Sequence, residues 1–511
     1  MGNTLSMAPP ERPRNQDEEL AMKIKDDFTV VAVGDLLQMV PIACRTDPDI
    51  QALVQLMRAA DMTLANNECT VIDRRTFRGT IAHQNAMPDV ADDWANMGIK
   101  MVTKANNHTH ASGDAGLIQN WEQLHRVGIE YAGADYNLEE ARLARFKTTP
   151  KGISGLVGVY AEVEDYSQWS GIAAGNAVPV TQEQLDQLQR IRQSILDRRG
   201  EVPVPVDDPE LNIEGAVQVF GRIFHVPDAT EAVDKYLTSI TNRIQQHKAS
   251  KGTTTTKANS LRLKLSQLRA MAGVEDDGTD TLSAFGIRFT VTPGPGELRY
   301  DMDAQDLRDI LREIRSGAQC SDFLAVTVHW HQNRSLFQHY SFDHYPSDYQ
   351  IEFAHAAIDS GADLFFAHGV HTLKGVEIYK GKAIFYGLSN YIFHNQLFRS
   401  WRDHGHREPT SLDGPIMGDS EFNERRWQWL QRKQNMQALL TRTCYHDGKL
   451  DEVRLYPADL GLTPRVGTEW GTPKRPTPEL ARTMLQDIVE FSKPFGTEVD
   501  IIDGVGIVRL P

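Results

Sequence analysis

The sequence predicts an α/β protein built on parallel strands, and three observations carry that expectation. Short apolar runs alternate with helix-like stretches along most of the chain, the runs mostly end in Asp, Glu, Asn or His, and ten of the 17 histidines fall between His329 and His406. Ligands of open α/β sheets gather beyond the carboxyl ends of the strands, so polar residues recurring there mark one functional edge. The 511 residues are enough for about two or three domains, or for one large domain with an insertion.

In chain order, FTVVAVG from Phe28 to Gly34 is the first strand, followed by MTLAN before Asn67, IKMVTKA before Asn106 and GLVGVYA ending at Ala161. Later strands are FGIRFTV, FLAVTVHW ending at Trp330, DLFFAHG, VEIYKG and KAIFYGL. Residues 166–282 change character: TQEQLDQLQRIRQSILDRR and two similar stretches read as helices, separated by EVPVPVDDPE and KGTTTTKANS. Thr181 and Gln184 form a capping box there, and Leu185, Leu188, Ile191 and Ile195 an apolar stripe. The expected organisation is a disordered leader (1–27), a core domain in two parts (28–165 and 283–460), an inserted helical subdomain (166–282) and a C-terminal extension (461–511) with a helix and a terminal strand. The insertion serves as a lid or as a contact between identical subunits.

Lys and Arg total 54 against 69 Asp and Glu, a net charge of −15, which argues against wrapping duplex nucleic acid. No apolar run approaches the roughly 18 residues of a membrane span, and the leader lacks a secretory signal's apolar segment, so no membrane partner and a cytoplasmic location are expected. Gly2 with Ser6 has the spacing of a myristoylation signal. Cys44, Cys69, Cys320 and Cys444 lie far apart without CxxC spacing and read as reduced thiols.

Imidazole and carboxylate are the ligands that Zn, Mn and Fe prefer, and paired ions activate water and polarise an oxyanion. Candidates are Asp35 in VAVGDLL, Glu68 in LANNEC, Asn107 and His108 in KANNHTH, His329 in VTVHWH, and His368 and His371 in FAHGVHTL. Singly, each can be a cap or a packing residue; together they follow the order of a dinuclear site in calcineurin-like metallophosphoesterases.

VAVGDLL, ADMTLANNE, ANNHTHASGDAGL, IEYAGADYNLEEAR, VTVHW, IDSGADLFFAHGVH and IFYGLSNYIF resemble, in order, the motifs of the bacterial capsule-synthesis family usually called CapA, or poly-γ-glutamate synthesis proteins, within that superfamily. The resemblance implies a four-layer α/β/β/α sandwich and two divalent metal ions (Mn, Fe or Zn). It implies Asp35, Glu68, Asn107, His329, His368 and His371 as ligands, and His108 as the acid or oxyanion partner. Three departures bear on the substrate. The family's HWGxE is His329-Trp330-His331-Gln332-Asn333 here, the Asp three residues after the ANNH histidine is Ala111, and the histidine doublet of GHHPH is His368-Gly369. His331 is a candidate base, replacement ligand or pocket-lining residue.

Asn333, Arg334, Arg399 and Trp401 are candidates for substrate binding, and His339, His344, Arg402, His404, His406, Asp73, Arg74 and His83 are weaker ones for anionic groups. The expected function is hydrolysis of a phosphoester or amide/γ-glutamyl bond in a small-molecule or peptide-like substrate by metal-activated water. Metal-assisted proton transfer (epimerase or lyase) and an accessory role in poly-γ-glutamate or capsule synthesis are the alternatives.

Overall fold

The computed structural model describes residues 23–24, 26–79, 81, 84–161, 300, 302–332, 343–394, 397, 433–466 and 469–511, with short pieces between 177 and 290. The first half runs β1 (Asp27–Leu37), α1 (Pro48–Ala59), β2 (Met62–Asn66), β3 (Thr70–Val71), β4 (Asn85–Ala86), α2 (Pro88–Asn96), β5 (Met101–Thr103), α3 (Gly113–Arg126), β6 (Glu130–Ala132), α4 (Leu138–Arg142), β7 (Arg145–Thr149) and β8 (Gly152–Ala161). Five short strands follow: β9 (Ala177–Pro179), β10 (Ala216–Val219), β11 (Arg222–His225), β12 (Thr281–Ala284) and β13 (Ile287–Thr290). The second half contains α5 (Ala304–Cys320), β14 (Phe323–Trp330), α6 (Asp348–Asp359), β15 (Leu364–His368), β16 (Val376–Tyr379), β17 (Lys382–Phe385), β18 (Asn390–Phe393), β19 (Gln437–His446), β20 (Lys449–Asp459), α7 (Pro478–Ser492), β21 (Val499–Ile502) and β22 (Val505–Val508).

Two large mixed sheets result. One has the order β21-β22-β20-β19-β1-β2-β5-β6, with β18 also pairing β1; the other is β16-β17-β15-β14-β8-β7. Within these two sheets parallel pairing runs through β18-β1-β2-β5-β6 and β8-β14-β15-β17, whereas β19, β20, β21 and β22 in the first and β7 and β16 in the second pair antiparallel. The parallel strands that the sequence predicts are present in both sheets, beside antiparallel ones. Strands buried on both faces read as continuous apolar runs, and β1 shows why. Phe28, Val30 and Ala32 pack with Phe323 and Ala325 of β14 and Leu364 and Phe366 of β15, whereas Val31 and Val33 pack with Ile50, Leu53 and Met57 of α1. The far side of β14, at Leu324, Val326 and Val328, packs with Ile314 of α5 and Phe353 and Ala357 of α6.

The extension 461–511 supplies α7 and the β21–β22 hairpin, and Val508 pairs with Val453 of β20. Leu485, Ile488 and Val508 lie in the core shared by the two sheets, so these residues are an integral part of it. FGIRFTV is not a strand of either large sheet: β13 forms a separate antiparallel hairpin with β12. Of residues 166–282, the described pieces are mostly strand, with β9, β10 and β11 forming one small sheet and helical turns only at Asp186, Gln187 and Arg190. The three long helices expected there lie almost wholly outside the described residues, as does the leader up to Met22. None of the described helices is long and apolar enough to cross a membrane.

Candidate metal centre

The carboxyl ends of the central parallel strands converge. Asp35 lies near the end of β1, where the pairing register with β2 and with β18 shifts; such bulges re-aim side chains. Its neighbour Gly34 is required by close approach, because a Cβ there would lie 1.8 Å from the Ser389 carbonyl oxygen. Glu68 follows β2, and Asn107 and His108 lie in the turn between β5 and α3. His329 and His368 are register partners on β14 and β15, and His371 stands just beyond with φ of 53°, a left-handed conformation uncommon outside glycine.

These side chains form two overlapping sets, Asp35–His329–His368 and Asp35–Glu68–His371, in each of which the candidate ligand atoms lie within 4.8 Å of one another. Asp35 is common to both. Its Oδ1 is 3.1 Å from His368 Nδ1 and 3.8 Å from His329 Nδ1, while its Oδ2 is 3.3 Å from His371 Nδ1. His371 Nε2 is 3.9 Å from Glu68 Oε1. His329 Nδ1 and His368 Nδ1 are 3.0 Å apart, and Thr327 Oγ1, 3.0 Å from His368 Nε2, can accept that nitrogen's proton and leave Nδ1 facing the centre. Asn66 Nδ2 donates to Asp35 Oδ1 at 2.8 Å, and Asn106 Nδ2 donates to Asn66 Oδ1 at 3.0 Å.

Burial raises the Asp35 carboxyl, but the imidazoles of His368 and His371 beside it outweigh that and hold it well below the usual range. Burial, and then repulsion from Asp35, push Glu68 well above its usual value against the pull of the Lys104 ammonium. Burial and then His331 push His329 well below the usual value, favouring the neutral ring that ligates metals. Both Glu68 carboxylate oxygens, Asn107 Oδ1, His329 Nε2 and His371 Nδ1 are buried and make no hydrogen bond. A buried carboxylate without a donor is costly. Divalent cations are what this set of carboxylate, amide oxygen and imidazole lone pairs fits.

His108 Nε2 is 3.7 Å from Glu68 Oε1, 3.2 Å from Asn107 Nδ2 and 3.0 Å from Gln84 Nε2. The His331 ring stands 4.8 Å from that of His329 and 6.5 Å from those of His371 and Tyr160. Gln332 faces elsewhere, accepting from Tyr349 Oη at 2.5 Å and donating to the Ala161 carbonyl at 3.1 Å. Gly369 has a steric reason: a Cβ would lie 2.9 Å from His329 Nε2 and 2.8 Å from the Trp330 carbonyl oxygen.

His344 is not placed to bind an anion, because its ring stacks on Phe491 at 4.1 Å with Nδ1 2.8 Å from the Leu373 carbonyl oxygen. Asp73 pairs with Arg75 at 2.7 Å, and Arg74 Nε lies 3.3 Å from Met87 Sδ. His83, Asn333, Arg334, His339, Arg399, Trp401, Arg402, His404 and His406 lie outside the described residues. Sequence reasoning missed Asn66, Lys104, Asn106, Gln84 and Thr327. Asn66 lies inside LANNEC, Lys104 and Asn106 inside KANNHTH and Thr327 inside VTVHWH, overlooked beside the stronger ligands there, whereas nothing local marks Gln84.

The profile of the bacterial capsule synthesis protein PGA_cap matches residues 29–395. The chain belongs to this family. It is 26% identical over 507 residues to the uncharacterized protein y4sH of Sinorhizobium fredii, covering 96% of this chain and 95% of that one. The PGA biosynthesis protein CapA of Bacillus subtilis is 37% identical over 80 residues, 16% of this chain and 19% of that protein. A putative 5'-nucleotidase from Staphylococcus aureus, solved in complex with alpha-ketoglutarate, matches 84% of this family member and 54% of its own chain with a TM-score of 0.33 and 8% identity. So loose a superposition carries no argument about fold or activity.

Proposed function

We propose that this PGA_cap protein is a metal-dependent hydrolase of the metallophosphoesterase type, a four-layer α/β/β/α sandwich whose centre holds two divalent ions of the Mn, Fe or Zn class. The observation that carries this reading is the pair of buried ligand sets sharing Asp35, with both Glu68 oxygens unpartnered. Asp35, His329 and His368 would hold one ion, and Asp35, Glu68, His371 and Asn107 Oδ1 the other. When bound, such ions lower the pKa of water and polarise the scissile group. Asn66 orients the Asp35 carboxylate through its 2.8 Å hydrogen bond, and Thr327 orients His368. His108, on the Glu68 side, exchanges a proton with the leaving group at Nε2; His331, on the His329 side, accepts one from the nucleophile. The substrate is a small-molecule or peptide-like phosphoester or γ-glutamyl amide, and the 166–282 insertion serves as a lid or subunit contact.

A second reading, an accessory role in polymer synthesis, draws on the name of a Mycobacterium tuberculosis relative, a probable polyglutamine synthesis accessory protein 28% identical over 100 residues. Activity of the metal-loaded chain on a small phosphodiester, a γ-glutamyl amide and a peptide library separates the two. Turnover lost in Asp35→Ala supports the hydrolase; two bound ions with no turnover and no solvent deuterium uptake favour the accessory role, and deuterium uptake without hydrolysis points to proton-transfer chemistry.

A further inference from the structure

Lys104 is fully buried at the end of β5, where a methionine would occupy similar space without the cost of desolvating an ammonium group. Its Nζ donates to the main-chain carbonyl of Asn67 at 3.2 Å and to that of Cys69 at 3.1 Å. Those are the residues immediately before and after Glu68. The Asn67 carbonyl also accepts from Asn106 Nδ2 at 2.9 Å, and the Asn67 amide donates to the Thr103 carbonyl at 2.9 Å. Lys104 is itself anchored, its amide donating to the Ala132 carbonyl at 2.8 Å and its carbonyl accepting from Thr109 Oγ1 at 2.5 Å. The Glu68 carboxylate makes no hydrogen bond of its own, so its direction is set by the peptides on either side, and Lys104 bonds to both.

We propose that Lys104 is a positioning residue that clamps the main chain around Glu68 and so fixes the Glu68–His371–Asn107 half of the centre; this rests on the metal-centre reading above. Clamp and charge act in opposite directions. The ammonium repels a cation at Glu68, so removing its charge tightens cation binding, whereas removing its two hydrogen bonds frees the carboxylate and weakens binding.

The test is Mn²⁺ titration of the metal-free full-length chain and its Lys104→Met variant, with hydrogen exchange of the segment around Asn67–Thr70 measured on both without metal. The proposal expects the first binding step, at the Asp35–His329–His368 half, to be unchanged and the second, at the Glu68 half, to weaken about 10–100-fold, the range for losing an outer-shell partner, with faster exchange in that segment. An unchanged or tightened second step overturns it. Should Lys104→Met fail to fold, Lys104→Leu, which likewise offers no donor, serves instead: a weakened second step supports the clamp and a parental one overturns it. If the parent binds no cation, the metal-centre reading fails, and hydrogen exchange alone decides the clamp, faster exchange in the variant supporting it and unchanged exchange overturning it.

Discussion

In the half of the centre formed by Asp35, His329 and His368, every side chain is fully buried, and Asn66 and Thr327 tie Asp35 and His368 by hydrogen bonds. In the half formed by Glu68, Asn107 and His371, His371 is partly exposed, and both Glu68 oxygens, Asn107 Oδ1 and His371 Nδ1 lack hydrogen bonds. The first half is pre-organised by side chains that position one another. The second is positioned by backbone: the turn after β5, the left-handed His371 and the peptides flanking Glu68. A rigid, desolvated half binds tightly and the looser one weakly, so the two ions should load in order.

The largest expected effect is at the shared residue. Asp35→Ala should reduce bound metal from about two ions to none, read by elemental analysis; a retained ion would show that the halves do not share Asp35. Glu68→Ala should remove one ion and leave the first binding step intact, whereas His368→Ala should abolish that first step; the same titration reads both. Gly369→Ala comes next, because its φ of 100° and the 2.9 Å approach to His329 Nε2 should cost about 1–3 kcal/mol of stability by denaturant unfolding and weaken the first step more than the second.

The smallest effect contrasts the centre with a structural histidine. His394 is fully buried with Nδ1 accepting from the Met39 amide at 3.2 Å and Nε2 3.0 Å from Thr472 Oγ1, and burial holds its pKa down to about 3. Below its ordinary value near 6.5 the unfolded chain takes up a proton that the folded chain does not. Stability therefore falls as pH drops from about 6.5 toward 3, by up to about 1.4 kcal/mol per pH unit for this group. His394→Asn should flatten that slope in unfolding measured across pH while leaving both metal-binding steps unchanged.

Much of this was legible in the sequence, because buried parallel strands write themselves as apolar runs and their polar ends are short motifs. Asp35, Glu68, Asn107, His108, His329, His368 and His371 lie in one neighbourhood at the strand ends. The histidine cluster itself was less informative: His344, His355 and His394 belong to it by number but are packing residues, His355 stacking on Tyr379 at 3.8 Å and meeting Glu377 at 2.9 Å. Composition cannot separate a histidine that stacks on a ring or bonds to a neighbouring group from one with a nitrogen facing the centre. The C-terminal helix and terminal strand were legible, but the strand Val499–Ile502 and the pairing with β20 that joins this extension to the sheet were not, because only tertiary pairing shows them. Gln84 reaches His108 across a separation of 24 residues that no local pattern encodes.

The most direct measurement is cation titration of the metal-free full-length chain beside its Glu68→Ala variant. The account predicts two sequential steps in the parent, of which the variant keeps the first and loses the second. Absence of cation uptake by the parent, or loss of both steps together on removing Glu68, would contradict it.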